Sequence, residues 1–280
     1  MANNKVEIEN NLTLIRSLIT KHKRHDHIFA GVGMFIIISL TITLLVLFLD
    51  LVFDGYPRFN LDFLTNFPSR RATAAGILSA WVGSSLVLIV TFFAAVPLGI
   101  AAGVYLEEYA KKNWFSDLIE INVTNLAGVP SIIYGLLALG LFVYGFGLGQ
   151  TILTAGLTLA LLMLPIVIVA TREAIRAIPI HIREAAYAVG ATKWQVSLHH
   201  VIQYSYGGIL TGVIIGMARA IGETAPVITI GALTFIAFLP PSPVGLEPPF
   251  INFEWLEAGF TVLPIQMFNW ISRPQMAFHV

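Results

Sequence analysis

The chain has 280 residues, of which 56% are hydrophobic and only 11% charged, and its mean hydropathy is +0.80. A soluble globule carries roughly 25% charged residues to wet its surface, so most of this surface meets lipid. Sixteen Lys and Arg balance sixteen Asp and Glu, which excludes a basic field for nucleic acid, and the absence of Cys excludes disulfides and thiol chemistry.

The first 27 residues are polar and too long for the short basic head of a cleaved signal peptide. They read as a cytoplasmic N-terminal segment, 1–27, leading into a retained first anchor, 28–53, whose stretch Ile28–Leu49 is uncharged. About 20 apolar residues suffice to cross ~30 Å of hydrocarbon as a helix. A second uncharged run, Ala72–Leu106, predicts a crossing over about 78–106. The following stretch Ile121–Thr171 is uncharged for 51 residues, which is two crossings, 121–144 and 151–171. Gly145, Gly147 and Gly149, with Gln150, mark the break between them.

A fifth apolar region, 205–239, is too long for one straight crossing and is interrupted by Arg219, Gly222, Glu223 and Pro226. None of these runs alternates with period two, so strand barrels are excluded and the fold class is an all-α polytopic membrane protein. With the N-terminus inside, five basic residues between Lys5 and Arg24, then Lys111, Lys112, Arg172, Arg176, Arg183 and Lys193, fall on the inner side. The outer loops hold Arg58, Arg70, Arg71 and Arg273, so the bias places the N-terminus in the cytoplasm. Residues 172–204 form an inner segment, and 240–280 an outer one that is Pro-rich over Pro240–Pro249.

Within the inner segment, Ala177–Val189 is good helix-forming sequence, followed by Gly190, the residue type most willing to take positive φ past a helix end. Thr192-Lys-Trp-Gln195 then matches the capping box that opens a helix. The pattern spells helix, glycine turn, capped helix: a rigid elbow, or an ordinary surface loop between spans.

Arg219 lies inside a span, where a charge costs about 2.5–3.5 kcal/mol on insertion scales and faces a bundle interior or a watery path. Two readings stand side by side: a structural ion pair with Glu223, four residues on, or a pathway site for an anion. Gly222 and Pro226 allow the helix to break there, and Thr224 adds a hydroxyl. Pro130 and Ser131 fall about 14 Å into the third span, as a kink with a back-bonded serine or as a midplane contact. Arg172, at the inner end of the fourth span, reads as a snorkelling arginine. Glu107, Glu108, Asp117 and Glu120 around Lys111 and Lys112 read as a solvated loop, and His199 and His200 as interfacial histidines. No nucleophile–base pair is legible, and no Gly-Lys dipeptide supplies a phosphate-cradling nucleotide loop. The chain is expected to be no enzyme.

Glu184-Ala185-Ala186 with Gly190 resembles the EAA loop of ABC-importer permeases, the element that docks on the ATPase. Gly128-Val-Pro-Ser-Ile-Ile-Tyr-Gly135, Ala220-Ile-Gly-Glu-Thr-Ala-Pro226 and Phe260-Thr-Val-Leu-Pro-Ile-Gln-Met-Phe-Asn-Trp-Ile-Ser-Arg-Pro274 resemble the PstA family, permeases of high-affinity phosphate importers. The similarity covers roughly residues 76–279. It implies a type I importer permease domain over 76–280 in a bacterial inner membrane. Its path residues would be Arg219, Glu223, Thr224, Ser131 and Arg172, and its ATPase-coupling residues Glu184, Ala185, Ala186, Gly190 and Thr192. It further implies as partners a homologous permease (PstC), an ATPase dimer (PstB), a phosphate-binding protein (PstS), inorganic phosphate and membrane lipid. The chain itself would bind no cofactor, with ATP and Mg on the ATPase. Two departures stand out. The family carries Pro where this chain has Gln203 and Gly207, and a sixth crossing expected after Ser272-Arg273-Pro274 is missing before Val280. Within transport the rival reading is a permease for another oxyanion, sulfate or molybdate; outside it, a membrane scaffold or signalling subunit that docks the ATPase.

Overall fold

A computed structural model of the chain describes residues 2–111, 113–245 and 250–275. Lys112, part of the inner basic count, lies outside the described residues, as do 246–249 and 276–280 of the outer segment. The chain divides after Asn60 into two compact units.

The first unit is dominated by one helix, α1 (Ala2–Gly55). Its stretch from Asp26 is long and apolar enough to cross a membrane. The polar residues before Ile28, expected as a separate segment, continue the same helix. Ala2–Gly55 contains neither Pro nor a clustered turn signal, so nothing local ends the helix at the polarity change.

The second unit, from Leu61, begins with the short α2 (Leu61–Thr65) and holds the remaining spans. Helix α3 (Leu78–Val104) starts where the apolar run predicts and ends in a π-helical turn, Tyr105–Tyr109. The third crossing is not straight. Helix α4 (Trp114–Leu126) stops, and α5 (Ser131–Ala138), extended by a π-helical stretch Leu139–Gly145, leaves it at 104°. Pro130 forces the break: it disfavours helical backbone at Val129 and has no N–H to continue the ladder. Ser131 therefore opens a new helix at the break within this passage. The Tyr134 hydroxyl reaches back 2.8 Å to the Leu126 carbonyl and satisfies the end of α4 across the bend.

Helix α6 (Ile152–Arg176) runs past the expected end at 171 and is capped by Thr151. It lies parallel to α3, because Val90 meets Gly156, Gly99 meets Val167 and Gly103 meets Thr171. Two parallel spans require the intervening chain to travel back, so α4 and α5 together make one return passage. After α7 (Ile180–Ala188) and α8 (Lys193–Val196), a π-helical turn leads into α9 (Ile202–Gly222). Helix α9 runs antiparallel to α6, with Gly208, Gly212 and Gly216 against Ala174, Ala170 and Met163. One glycine per turn lets the backbones approach closely, the usual way helices associate without a hydrophobic drive in lipid.

The fifth span ends at Gly222, not 239; a short α10 (Ala225–Thr229) follows, and the chain then leaves helical structure. The outer segment is also not a surface loop throughout. Trp255, Phe260, Val262 and Ile265 are buried in one core with Leu86, Val87, Ile152 and Leu159. The segment is stitched in by Leu233 N–H to Phe260 O, Ile152 N–H to Ala258 O, and Leu263 N–H to Ser84 Oγ at 2.9–3.1 Å. Helix α11 (Leu263–Ile271) packs on α3. Among the described residues the extended pairing is one isolated bridge, Val244 with Ile251.

Candidate functional site

Three constellations carry the chemistry, and the helix ends place each of them.

The first sits at the end of α9. The helix closes at Gly222, and Glu223 turns into extended backbone at φ −76°, ψ 120°. The Arg219–Glu223 pair nevertheless forms, Nε to Oε1 at 3.3 Å. Its partners are unequal: the Arg219 side chain is 43% exposed and that of Glu223 17%. Glu223 faces a narrow cleft between α3, α6 and the returning outer segment, which includes Ser84, Leu159 and Val262. Thr224 stands at the head of α10. Helix α10 packs on α5, where Gly135 leaves room for Thr229 and Pro226. The two helix breaks thus neighbour each other.

Arg172 does not join them. Across the α6–α9 contact it stands level with the turn between Gly208 and Gly212. That is about nine residues, or ~14 Å, from Arg219 along the helix. Nor does it snorkel: its side chain is 6% exposed and lies 2.6 Å from Glu120 Oε2 and 3.4 Å from Glu107 Oε2. Arg176, one turn on, bonds the same two carboxylates at 3.0 Å. This second constellation, Glu107–Arg172–Glu120–Arg176, borders a recess of about 300 Å³ that also meets Lys111 and Asp117. Glu107 and Glu120, expected in a solvated loop, are therefore structural partners. Their arginines lie 52 to 69 residues away in sequence, beyond the reach of any local pattern.

The third constellation is the elbow. Helix α7 begins after Pro179 and ends at Ala188; Gly190 just beyond it has φ +85°, with the Gly190 N–H on Tyr187 O and the Ala191 N–H on Ala186 O. Thr192 and Gln195 form the reciprocal capping box of α8. Ala186 is buried with Ile175, Ile178, Val196 and Val201, so this side of α7 must be small. Glu184 and Ala185 point outward, Glu184 pairing with His181 at 3.2 Å. Around them Ile180, Tyr187, Val189 and Trp194 form an exposed apolar surface, Val189 at 85%. His199, beyond this face, lies in the π-helical turn before α9. Among the described residues no cluster of His, Asp and Glu is placed to hold a metal.

Residues 95–244 match the model of the family described as "Binding-protein-dependent transport system inner membrane component". The chain is 32% identical over 226 residues to the "Probable ABC transporter permease protein YqgI" of Bacillus subtilis, covering 80% of this chain and 72% of that protein. It is 35% identical over 204 residues to the "Phosphate transport system permease protein PstA" of Mycobacterium leprae, covering 73% of this chain and 62% of that one. The PstA of Haemophilus influenzae matches at 30% over 244 residues, 85% of this chain and 84% of the relative.

Proposed function

Because the chain belongs to the family of binding-protein-dependent transport system inner membrane components, we propose that it is a permease subunit of an importer for inorganic phosphate. It is a multi-pass membrane protein of the type I permease fold and works as a transporter subunit, not an enzyme. The relatives named for phosphate transport favour that anion over sulfate or molybdate.

The observation that carries the reading is the elbow. A glycine at positive φ and a closed capping box define the turn between α7 and α8. The apolar face of Ile180, Tyr187, Val189 and Trp194 is the kind of exposed patch that marks a docking surface. Glu184, Ala185, Ala186, Gly190 and Thr192 thus form the seat of an ATPase that carries the ATP and Mg.

Phosphate passes near Arg219, Glu223, Thr224 and Ser131, where broken helix ends free backbone groups and a half-exposed guanidinium offers a planar fork for anionic oxygens. Arg172 supports this path from a distance, through its carboxylate partners. The complete importer adds a homologous permease (PstC), two ATPase copies (PstB) and a phosphate-binding protein (PstS), in a bacterial cytoplasmic membrane with the N-terminus inside.

The test is uptake of labelled phosphate into vesicles holding the reconstituted complex, with ATP inside and the binding protein outside. ATP-dependent accumulation of phosphate supports the reading. Accumulation of sulfate or molybdate instead selects the oxyanion rival, and ATPase docking without any uptake selects the scaffold.

A further inference from the structure

The π-helical turn that ends α3 gathers contacts that no local pattern accounts for. Its closing bond, Ala110 N–H to Tyr105 O at 2.8 Å, spans five residues in place of four. Such turns are uncommon and are frequently found at functional sites. Here three consecutive side chains each hold a different element. Glu107 accepts from Arg176 of α6 at 3.0 Å. Glu108 accepts two bonds from Arg183 of α7, from Nε at 3.1 Å and Nη2 at 2.8 Å. The ring of Tyr109 lies 5.0 Å from the Lys193 ammonium of α8.

The central contact is the strongest of the three. The Glu108 side chain is 7% exposed and that of Arg183 19%. Two further Arg183 bonds go from Nη1 to the Ile178 carbonyl and from Nη2 to the Ile175 carbonyl, both at 3.1 Å, at and just past the end of α6. One guanidinium therefore ties together the ends of α3, α6 and α7. An arginine capping helix carbonyls alone would need no carboxylate; a buried charge pair joining residues 75 apart fixes two elements to each other.

We propose that Glu107-Glu108-Tyr109 is the joint through which movement of the elbow reaches the spans, with Arg183 as its principal positioning partner. The inference rests on the coupling role of the elbow given above. Glu108 and Arg183 hold α7 rigid against α3, Tyr109 does so for α8, and Glu107 passes the displacement to α6. Elbow, α3 and α6 then move as one body when the ATPase closes.

The test uses the complete complex in vesicles, and its readout is phosphate taken up per ATP hydrolysed, which a loss of folded protein does not change. Glu108→Ala and Arg183→Ala are each expected to lower this ratio about tenfold, and the double variant no further, because the two act through one contact. Glu108→Gln keeps the shape and one acceptor and is expected to lose about threefold, so it reports if the alanine variant fails to assemble. A wild-type ratio in Glu108→Gln and the single variants, or losses that multiply in the double, would overturn the joint.

A second readout is independent of phosphate. The chain has no cysteine, so Lys111→Cys and Ala188→Cys can carry a spin-label pair across α3 and α7. Their separation is expected to be the same with and without ATP in the intact chain and to broaden in Glu108→Ala. A separation that changes with ATP in the intact chain would reject a rigid joint even if transport is normal. Conversely, a complex that moves no phosphate but keeps the separation fixed fails the transport reading and leaves the joint standing.

Discussion

Arg219 and Arg172 show how one residue type takes two roles by burial. Arg219 is nearly half exposed and shares a single contact, at 3.3 Å, with Glu223. Neutralising both partners leaves no orphan charge. Arg219→Gln with Glu223→Gln is therefore expected to insert and assemble normally, and Arg219→Gln alone, which leaves Glu223 without its partner, to assemble at somewhat lower yield. Neither is expected to transport phosphate, because no neutral pair replaces an anion-stabilising charge. Uptake normalised to assembled complex checks this, and normal uptake by the double variant would make Arg219 structural. Arg172 is the opposite case. Removing its buried guanidinium leaves Glu107 and Glu120 facing each other with Arg176 alone between them, which is expected to destabilise the fold. Arg172→Met is expected to unfold at clearly lower temperature in detergent than Arg219→Gln. Equal melting of the two variants would show that the cluster is not structural.

At the scale of elements, the elbow was legible because its signals are short-range. A helix stop at Gly190 and a Thr-x-x-Gln box need only four to six neighbouring residues, and both appear in the fold. Gly190 has φ +85°, and a β-branched side chain there costs on the order of 1–3 kcal/mol of backbone strain. No atom lies near the site a Cβ would occupy, so the loss acts through the backbone and not through a clash. Gly190→Val is expected to retain phosphate capture by the binding protein but to lose ATPase recovery on pull-down and most uptake. Wild-type uptake by this variant would remove the elbow from coupling. The breaks in the spans were half legible. Pro130 and Pro226 announced a discontinuity, but whether Pro130 kinks a crossing or turns it by 104° depends on α10 packing against Gly135, about ninety residues away. The acidic cluster and the burial of 255–266 were not legible at all. Each is decided by distant partners: Arg172, Arg176 and Arg183 for the carboxylates, and Ser84 with the space at Gly83 for the returning segment.

At the scale of the whole second unit, the parallel course of α3 and α6 and the antiparallel course of α9 fix which features share an end. The C-terminal ends of α3 and α6 meet the elbow through Glu108–Arg183 and the cluster of Ile175, Ile178, Val196 and Val201. Their N-terminal ends meet the returning segment through Ser79 Oγ–H to Ile236 O and Ile152 N–H to Ala258 O, both at 3.1 Å. The 25 residues of α6 put about 37 Å between these ends, enough to cross the hydrocarbon of a bilayer. Elbow and returning segment must therefore face opposite aqueous phases, and the basic bias assigns the elbow to the cytoplasm. Single cysteines at Ser242 and Ala188, both exposed, report the two sides in this cysteine-free chain. An impermeant maleimide is expected to label Ser242→Cys in intact cells and Ala188→Cys only after the membrane is opened. Labelling of both in intact cells, or of Ala188→Cys alone, would invert or abolish the assignment. It would also take the ATPase seat away from the elbow, since ATP is supplied on one side only.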